Sequence, residues 1–377
     1  MSQPPKKKST RRDFLKGKSA TDALGDIGRR EDDSPTPPAT AKSRADEPNR
    51  ATQESQRSYL VEVGRRAMAC QFDVLLNAGE HAGSTEAAIE ALDLIETLEA
   101  QLTVYRDSSE VSQLNRNGFT ELVVVEPQLF ELIQRSISLF HATNGAFDIT
   151  SGPLIQLWDK LRTSGEMPKP QRIKEVLQLV DSNLIQLDPL NHTVRLSVAG
   201  VSIDFGGIGK GYALDRCADF MTTVGIESFL VHGGSSSILA RGTRLSGTTD
   251  EGWTVGIRHP LRADRRLLEL QLCHRAVGTS GAGTKQFYHQ GKRYGHVIDP
   301  RTGYPSDGVL STTVVAPSAA TADALSTAFY VLGVDAAAEY CQACSEVSAI
   351  ITTLGPSGSV EVHRINCDDL SIAAICP

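Results

Sequence analysis

Apolar positions along the chain change their spacing several times, and each change marks a different element. Residues 72–76 read as a strand. Over 85–102 the residues Ile89, Leu92, Ile95, Leu98 and Leu102 recur at three- and four-residue intervals, the spacing that lines one face of a helix. Residues 127–143 repeat that spacing through Phe130, Ile133, Ile137 and Phe140, then stop at Asn144-Gly145, a pair suited to a left-handed helix end. Short β-rich runs follow at 193–198, 228–231, 312–315, 349–353 and 360–363. Residues 267–272 alternate apolar and polar, which predicts a half-buried strand. Two more helices are expected over 210–224 and 319–332, ended by Gly225 and Gly333. Many strands follow one another late in the chain, without regular strand–helix–strand winding, so the pattern predicts an α+β fold.

The 377 residues carry 38 Lys+Arg against 45 Asp+Glu, a net charge of -7, with 40% hydrophobic residues, enough for a packed core. An acidic balance argues against general nucleic-acid binding, which needs clustered cations for phosphates. No run approaches the ~20 apolar residues that span a bilayer, so no transmembrane segment is expected. The 7 cysteines are odd in number and scattered, which disfavours a disulfide framework. Cys341 and Cys344 form one C-x-x-C in an Ala-rich stretch and read as helix-packing residues rather than a metal or redox site.

Residues 1–55 are rich in Lys, Arg, Asp, Ser and Pro, with Phe14 the only aromatic, a composition expected of a disordered tail with a short helix around 13–27. The globular domain is expected over 56–377. Within the tail, Ser9-Thr10-Arg11-Arg12-Asp13-Phe14-Leu15-Lys16 is similar to a bacterial twin-arginine export signal, but the following residues 17–26 are polar where an apolar core is required. A cytoplasmic location is therefore favoured over export to the periplasm.

Four clusters carry candidate chemistry. Asp204-Phe205-Gly206-Gly207-Ile208-Gly209-Lys210-Gly211-Tyr212 sits where a strand hands over to a helix. Its glycines permit close backbone approach, the helix start favours phosphate and Lys210 adds a positive charge. It is not a P-loop, because Asp204 stands at the first glycine and Gly211 at the metal-binding hydroxyl position. Tyr212 likewise breaks the dinucleotide fingerprint, and no H-R-D loop accompanies Asp204-Phe205-Gly206. In the second cluster, residues 294–305, His296 and Asp299 lie three apart beside Pro300, with a turn at Thr302-Gly303; either can serve as general base. In the third, Asp323 and Thr327 are four apart on a helix, so a carboxylate and a hydroxyl share one face, both hard donors suited to Mg²⁺. The fourth pairs residues 103–110, including Tyr105, with residues 144–150, including Phe147; both rings can stack on a flat heterocycle.

In this order the clusters resemble the ApbE family of FAD:protein FMN transferases. The resemblance runs through Met68-Ala69-Cys70-Gln71-Phe72, Leu102-Thr103-Val104-Tyr105-Arg106, Gly145-Ala146-Phe147-Asp148, the 204–212 loop, Val231-His232-Gly233-Gly234, Thr279-Ser280-Gly281, His296-Val297-Ile298-Asp299-Pro300-Arg301-Thr302-Gly303 and Asp323-Ala324-Leu325-Ser326-Thr327. It implies a T-fold-like α+β body with FAD in a cleft between its layers. Met68, Tyr105, Ala146, Phe147, Asp148, Asp204, Lys210 and Ile298 would contact FAD. Mg²⁺ would be held by the Gly207 carbonyl, Asp323 and Thr327, with the Ser326 carbonyl as a further candidate. His296 or Asp299 would take the proton of the attacking hydroxyl.

The implied reaction moves FMN from FAD to a Ser or Thr hydroxyl of an acceptor flavoprotein, a subunit of an electron-transfer complex, and releases AMP. The same residues would serve a Mg²⁺-dependent FAD pyrophosphatase, and a flavin-binding protein without catalysis is a third reading. Two departures from the family pattern stand out. Ser235-Ser236-Ser237 follow Gly233-Gly234 where an acid is usual, and the loop at 279–281 runs on as Ala282-Gly283-Thr284-Lys285.

Overall fold

The structure, a computed structural model, describes residues 59–164, 166–244, 252–281, 287–289 and 292–374. The N-terminal tail, with its twin-arginine motif and the helix expected over 13–27, lies outside the described residues, as do residues 282–286. Strands β1 (Leu60–Ala67) and β2 (Cys70–Asn77) form a tight hairpin in which Ala67 pairs with Cys70. The two turn residues, Met68 and Ala69, have φ of 47° and 59°. Positive φ at both positions matches the twist of the flanking strands, here achieved without glycine.

Helix α1 (Ser84–Leu102) buries Ala88, Ala91, Leu92, Ile95, Leu98 and Leu102. Ile89, expected on that face, is 42% exposed. It stands about 120° around the helix from Ile95, and the small Ala88 and Ala91 occupy the buried arc instead. Next come α2 (Glu110–Asn117), β3 (Val123–Val124) and α3 (Pro127–Ala142). Helix α3 ends as predicted, with positive φ at Asn144 and Gly145. Then follow α4 (Gly152–Ser164), α5 (Pro170–Leu177), a 3₁₀ turn over Ser182–Leu184, β4 (Ile185–Asp188) and β5 (Thr193–Leu196).

The second half contains α6 (Gly209–Thr223), β6 (Phe229–Gly233), β7 (Ser237–Arg241), β8 (Trp253–His259), β9 (Arg262–Leu272) and β10 (Ala276–Gly281). A small hairpin of β11 (Phe287–His289) and β12 (Lys292–Tyr294) precedes β13 (Val309–Ala316). The chain continues through α7 (Ala319–Leu332), α8 (Val334–Ala343), β14 (Ser348–Leu354), β15 (Val360–Ile365) and β16 (Ile372–Ala374).

Eight strands form one antiparallel sheet in the order β1-β2-β6-β7-β10-β13-β14-β15. Alternation along each strand divides its two faces. Phe229 and Val231 join the core shared with α1, α6 and α7, whereas Leu230 joins a second core. That second core is closed by the sheet β16-β9-β8, through Trp253, Val255, Ile257, Leu268, Leu270 and Leu272. The expected α+β class is thus realised with helices on one face of the large sheet and a small sheet on the other. Residues 279–281, read from sequence as a loop, are the end of β10 and pair with β13.

Helices α6 and α7 approach each other closely. A Cβ on Gly211 would overlap the Ala319 carbonyl, so only glycine permits the crossing. Cys341 is buried on α8 and Cys344 packs against the same core, which makes both packing residues. Among the described residues no helix is long and apolar enough to cross a membrane.

Candidate functional site

Helix α7 is apolar nearly all round, yet it buries a carboxylate. Asp323 is 5% exposed. Its Oδ2 accepts from the Gly211 N–H at 2.8 Å, and Ser237 Oγ donates to Oδ1 at 2.7 Å and to Oδ2 at 2.9 Å. Lys210 Nζ lies 3.8 Å from Oδ2. Burial pushes the Asp323 carboxyl up from the usual carboxylate range, against the downward pull of Lys210, Ser237 and the Gly211 N–H. Several hydroxyls gather on the same stretch of α7. Thr327 Oγ1 and Ser326 Oγ both reach back to the Asp323 carbonyl, at 3.3 and 2.8 Å, and Ser280 Oγ bridges them at 3.1 and 2.9 Å.

The glycine loop meets this cluster. A Cβ placed on Gly207 would stand 3.8 Å from Thr327 Oγ1 and 3.3 Å from the Phe147 ring. Residues 207, 323 and 327, with Lys210, therefore share one locality. The loop is held from outside the large sheet. The Asn115 side-chain amide bonds both backbone groups of Ile203, accepting at 2.7 Å and donating at 2.9 Å. The Asp204 N–H donates to the Ile149 carbonyl at 2.7 Å, which ties the loop to the 146–150 segment. Asp204 Oδ1 accepts from the Gly206 N–H at 2.7 Å, and burial pushes its carboxyl up.

Ala146 and Phe147 are buried, and so is Asp148. The Asp148 carboxylate is taken up within the protein. Oδ1 accepts from Thr150 N and Oγ1 and from Ser182 Oγ, each at 2.7 Å, and Oδ2 from Ser182 N at 3.2 Å. Burial nevertheless raises its pKa. Asp148 thus fixes its own segment to the 3₁₀ turn, and what that segment offers a ligand is its backbone and the Phe147 ring.

Residues 297–306 form a narrow hairpin. Ile298 bridges Pro305, Ser306 N–H donates to Val297 O at 2.9 Å, and Asp299 N–H donates to Tyr304 O at 2.9 Å. Asp299 binds Arg301 through both oxygens, to Nε and Nη2 at 2.9 Å each, and Oδ1 also accepts the Arg301 N–H. Trp158 of α4 supports the hairpin. Its indole N–H donates to the Gly303 carbonyl at 2.8 Å, its ring stacks on Tyr294 and it meets Tyr304 edge-on. His296 is exposed at the start of the hairpin. Arg301 also reaches Gly145, where an added Cβ would lie 3.6 Å from Arg301 Cγ. A cavity of about 300 Å³ opens here, bordered by His141, Asn144, Asp148, Pro300 and Arg301. It adjoins the hairpin and the 145–148 segment, and Asp323 is not part of its lining.

Two further expected flavin contacts lie in connections between elements. Tyr105 is 89% exposed between α1 and α2. Met68 is half-buried at the β1–β2 turn, one residue from Ala69 and two from Cys70, whose charge neighbours are Lys210 and Asp323. Two residues that sequence reasoning did not place are Ser237 and Ser280. Ser237 lies in the serine run noted as a departure from the family, and it supplies hydrogen bonds to Asp323 from the edge of β7. A hydroxyl at the start of a strand, three residues after Gly234, was the available signal.

Comparison with known proteins bears on family and fold. The ApbE family model matches residues 68–351. A protein of Treponema pallidum called FAD:protein FMN transferase is 33% identical over 67% of this chain and 73% of its own length. One from Haemophilus influenzae with the same name is 29% identical over 75% of this chain and 84% of its own. Among solved structures, the ApbE protein of Thermotoga maritima superposes with a TM-score of 0.71 at 28% identity, over 81% of this chain and 97% of that one. The flavin transferase ApbE of Vibrio cholerae gives 0.70 at 25%, over 82% and 97%. The order of motifs, the α+β architecture and the reach of the match lead to one conclusion: the chain belongs to the ApbE family.

Proposed function

We propose that this protein transfers the FMN half of FAD to a Ser or Thr hydroxyl of an acceptor flavoprotein and releases AMP. The acceptor would be a subunit of an electron-transfer complex. The observation that carries this reading is the buried Asp323 carboxylate, set beside Lys210, Thr327 and the Gly207 backbone, in a chain whose relatives are named FAD:protein FMN transferase.

The donor set fits Mg²⁺. Asp323 Oδ1 takes one hydrogen bond, from Ser237, which leaves a lone pair for a cation. The neighbouring candidate ligands are hydroxyls and carbonyls, which are hard oxygens. The remaining ligands would come from such oxygens, water and substrate phosphates. Asp323, Thr327 and the Gly207 carbonyl would hold the ion, with the Ser326 carbonyl as a further donor. When bound, Mg²⁺ offsets negative charge on the pyrophosphate of FAD.

The chain's own groups divide the remaining work. Lys210, at the start of α6, attracts the pyrophosphate, and the helix N-terminus adds N–H donors. Met68, Tyr105, Ala146, Phe147, Asp148, Asp204 and Ile298 line the FAD path, Asp148 through its segment rather than its carboxylate. The acceptor oxygen forms a bond to the phosphorus nearest riboflavin, and the bond from that phosphorus to the oxygen of AMP breaks. AMP leaves with the electron pair. His296, exposed where an acceptor protein can reach it, takes the hydroxyl proton. Asp299 has both oxygens on Arg301, which suits it to holding the hairpin rather than to accepting that proton.

The test is incubation with FAD, Mg²⁺ and a candidate acceptor protein. AMP release together with a flavin-fluorescent acceptor band in a denaturing gel is expected. AMP without a labelled acceptor would mean a pyrophosphatase, and bound FAD with no AMP would mean a binding protein; either outcome overturns the transferase reading.

A further inference from the structure

The first turn of α7 is capped by another helix. The Asp215 carboxylate on α6 accepts the N–H of Ala319 at 2.7 Å through Oδ1 and that of Ala320 at 2.9 Å through Oδ2. The third N–H, of Thr321, goes to the N-cap Ser318 Oγ, at 3.2 Å. Most caps use one short side chain from the preceding residue; here a remote carboxylate takes two of the four N–H groups that a helix start leaves without intrahelical partners. Arg135 of α3 braces the same turn, donating to Thr321 Oγ1 at 2.6 Å and to Ser318 Oγ, with Asp215 itself 4.0 Å away.

The consequence lies one helical turn along. Gly211 is four residues before Asp215 on the same face of α6, and its N–H donates to Asp323. Helix α6 therefore grips α7 at two points, the N-terminal turn through Asp215 and the buried carboxylate through Gly211. The segment that leads into α6 carries Gly207, which lies beside Thr327. The spacing between the glycine loop and the Asp323–Thr327 pair depends on how α7 is set along and around its axis. Asp215 sets both, because its two oxygens engage two successive N–H groups that lie along the axis but are offset by about 100° around it.

We infer that Asp215 is a positioning residue for the cation site, fixing Asp323 and Thr327 against Gly207 without touching ion or substrate. The inference rests on the metal reading proposed above. It gives Asp215 a role distinct from helix stability alone, since the loss should appear in metal affinity.

The test uses the full chain, Mn²⁺ as the metal and ADP as an unreactive pyrophosphate, with free Mn²⁺ followed by electron paramagnetic resonance. Asp215→Asn keeps the shape but replaces one acceptor oxygen by an NH₂ group. Mn²⁺ affinity should fall by about 10–100-fold, as for other groups that orient metal ligands. ADP binding in EDTA should change less than about twofold by the same logic. Ile257→Val, in the second core on the far face of the sheet, should lower Tm and leave Mn²⁺ affinity unchanged. Asp215→Glu keeps the charge but lengthens the side chain, and should weaken Mn²⁺ in the same direction; it answers the question if Asp215→Asn does not fold. Wild-type Mn²⁺ affinity in the Asp215 variants, or an equal loss in Ile257→Val, would overturn the inference. If wild type bound Mn²⁺ no better than Asp323→Ala, the metal reading itself would fall, a distinguishable outcome.

Discussion

The Asp323 cluster and the 297–306 hairpin sit in opposite surroundings. Asp323 is enclosed by packed helices and β7, with its oxygens engaged by Gly211, Ser237 and Lys210. His296 stands exposed on a loop whose shape is kept by one bidentate ion pair, Asp299–Arg301, and one indole, Trp158. The enclosed group suits a task that needs fixed charges in a low-dielectric place, where electrostatic interactions are strongest. The exposed group suits a task that needs access for a second protein. If this division is right, changes on the buried side should act through the metal, and changes on the hairpin should act on transfer.

The largest effect is expected for Asp323→Ala. Turnover of FAD should fall to background, about 10⁴-fold or more, as several kcal/mol of charge stabilisation are lost, while FAD still binds. Measuring AMP release across a Mg²⁺ titration checks this; turnover that survives would break the comparison on its buried side. His296→Ala should slow transfer by about 10²–10⁴-fold with FAD affinity and Mg²⁺ dependence unchanged. Wild-type transfer by that variant would pass the proton to another group. Ser237→Ala removes the hydroxyl donor shared by both Asp323 oxygens and should raise the Mg²⁺ concentration needed for half-maximal rate by about 10–100-fold, with kcat at saturating Mg²⁺ much less affected. Trp158→Phe should have the smallest effect. It removes the bond to Gly303, costs about 1 kcal/mol of stability and should leave the Mg²⁺ requirement where it was.

Sequence periodicity was most informative where one face of an element is apolar and the other wet. Helices α1 and α6 were read to within one residue, while α7, apolar nearly all round, was read to its observed ends, 319–332, from the glycine that stops it. Short elements escaped. In α2 only Val111 and Leu114 are buried, too few to establish a helical period. Strands that face the site escaped for a different reason. Ser237 begins β7 and Ser280 lies in β10, and both direct hydroxyls toward the Asp323 cluster. Polar residues on a buried strand face erase the alternation that marks a strand. Gly278 adds to the effect, because α7 lies so close to β10 that a Cβ there would overlap Ala322.

The clustering of candidate residues was legible where several residue types with one chemistry recur in a fixed order, as with Asp323 and Thr327 beside Gly207. It was illegible where the role depends on a partner far away in sequence. Asp148 reads as a ligand contact, yet its carboxylate is spent on Thr150 and Ser182. Asp299 reads as a base, yet Arg301 holds both its oxygens. Neither engagement can be inferred from spacing alone, because each depends on where a side chain turns after folding.

The most direct test of the account is anomalous diffraction from crystals of the protein soaked with Mn²⁺ and ADP. The account predicts one strong peak at a bonding distance of about 2.1 Å, typical for a hard cation of this size, from an Asp323 carboxylate oxygen and Thr327 Oγ1, with the Gly207 carbonyl completing the protein ligands. A peak elsewhere, with Asp323 still bonded only to Gly211, Ser237 and Lys210, would contradict it.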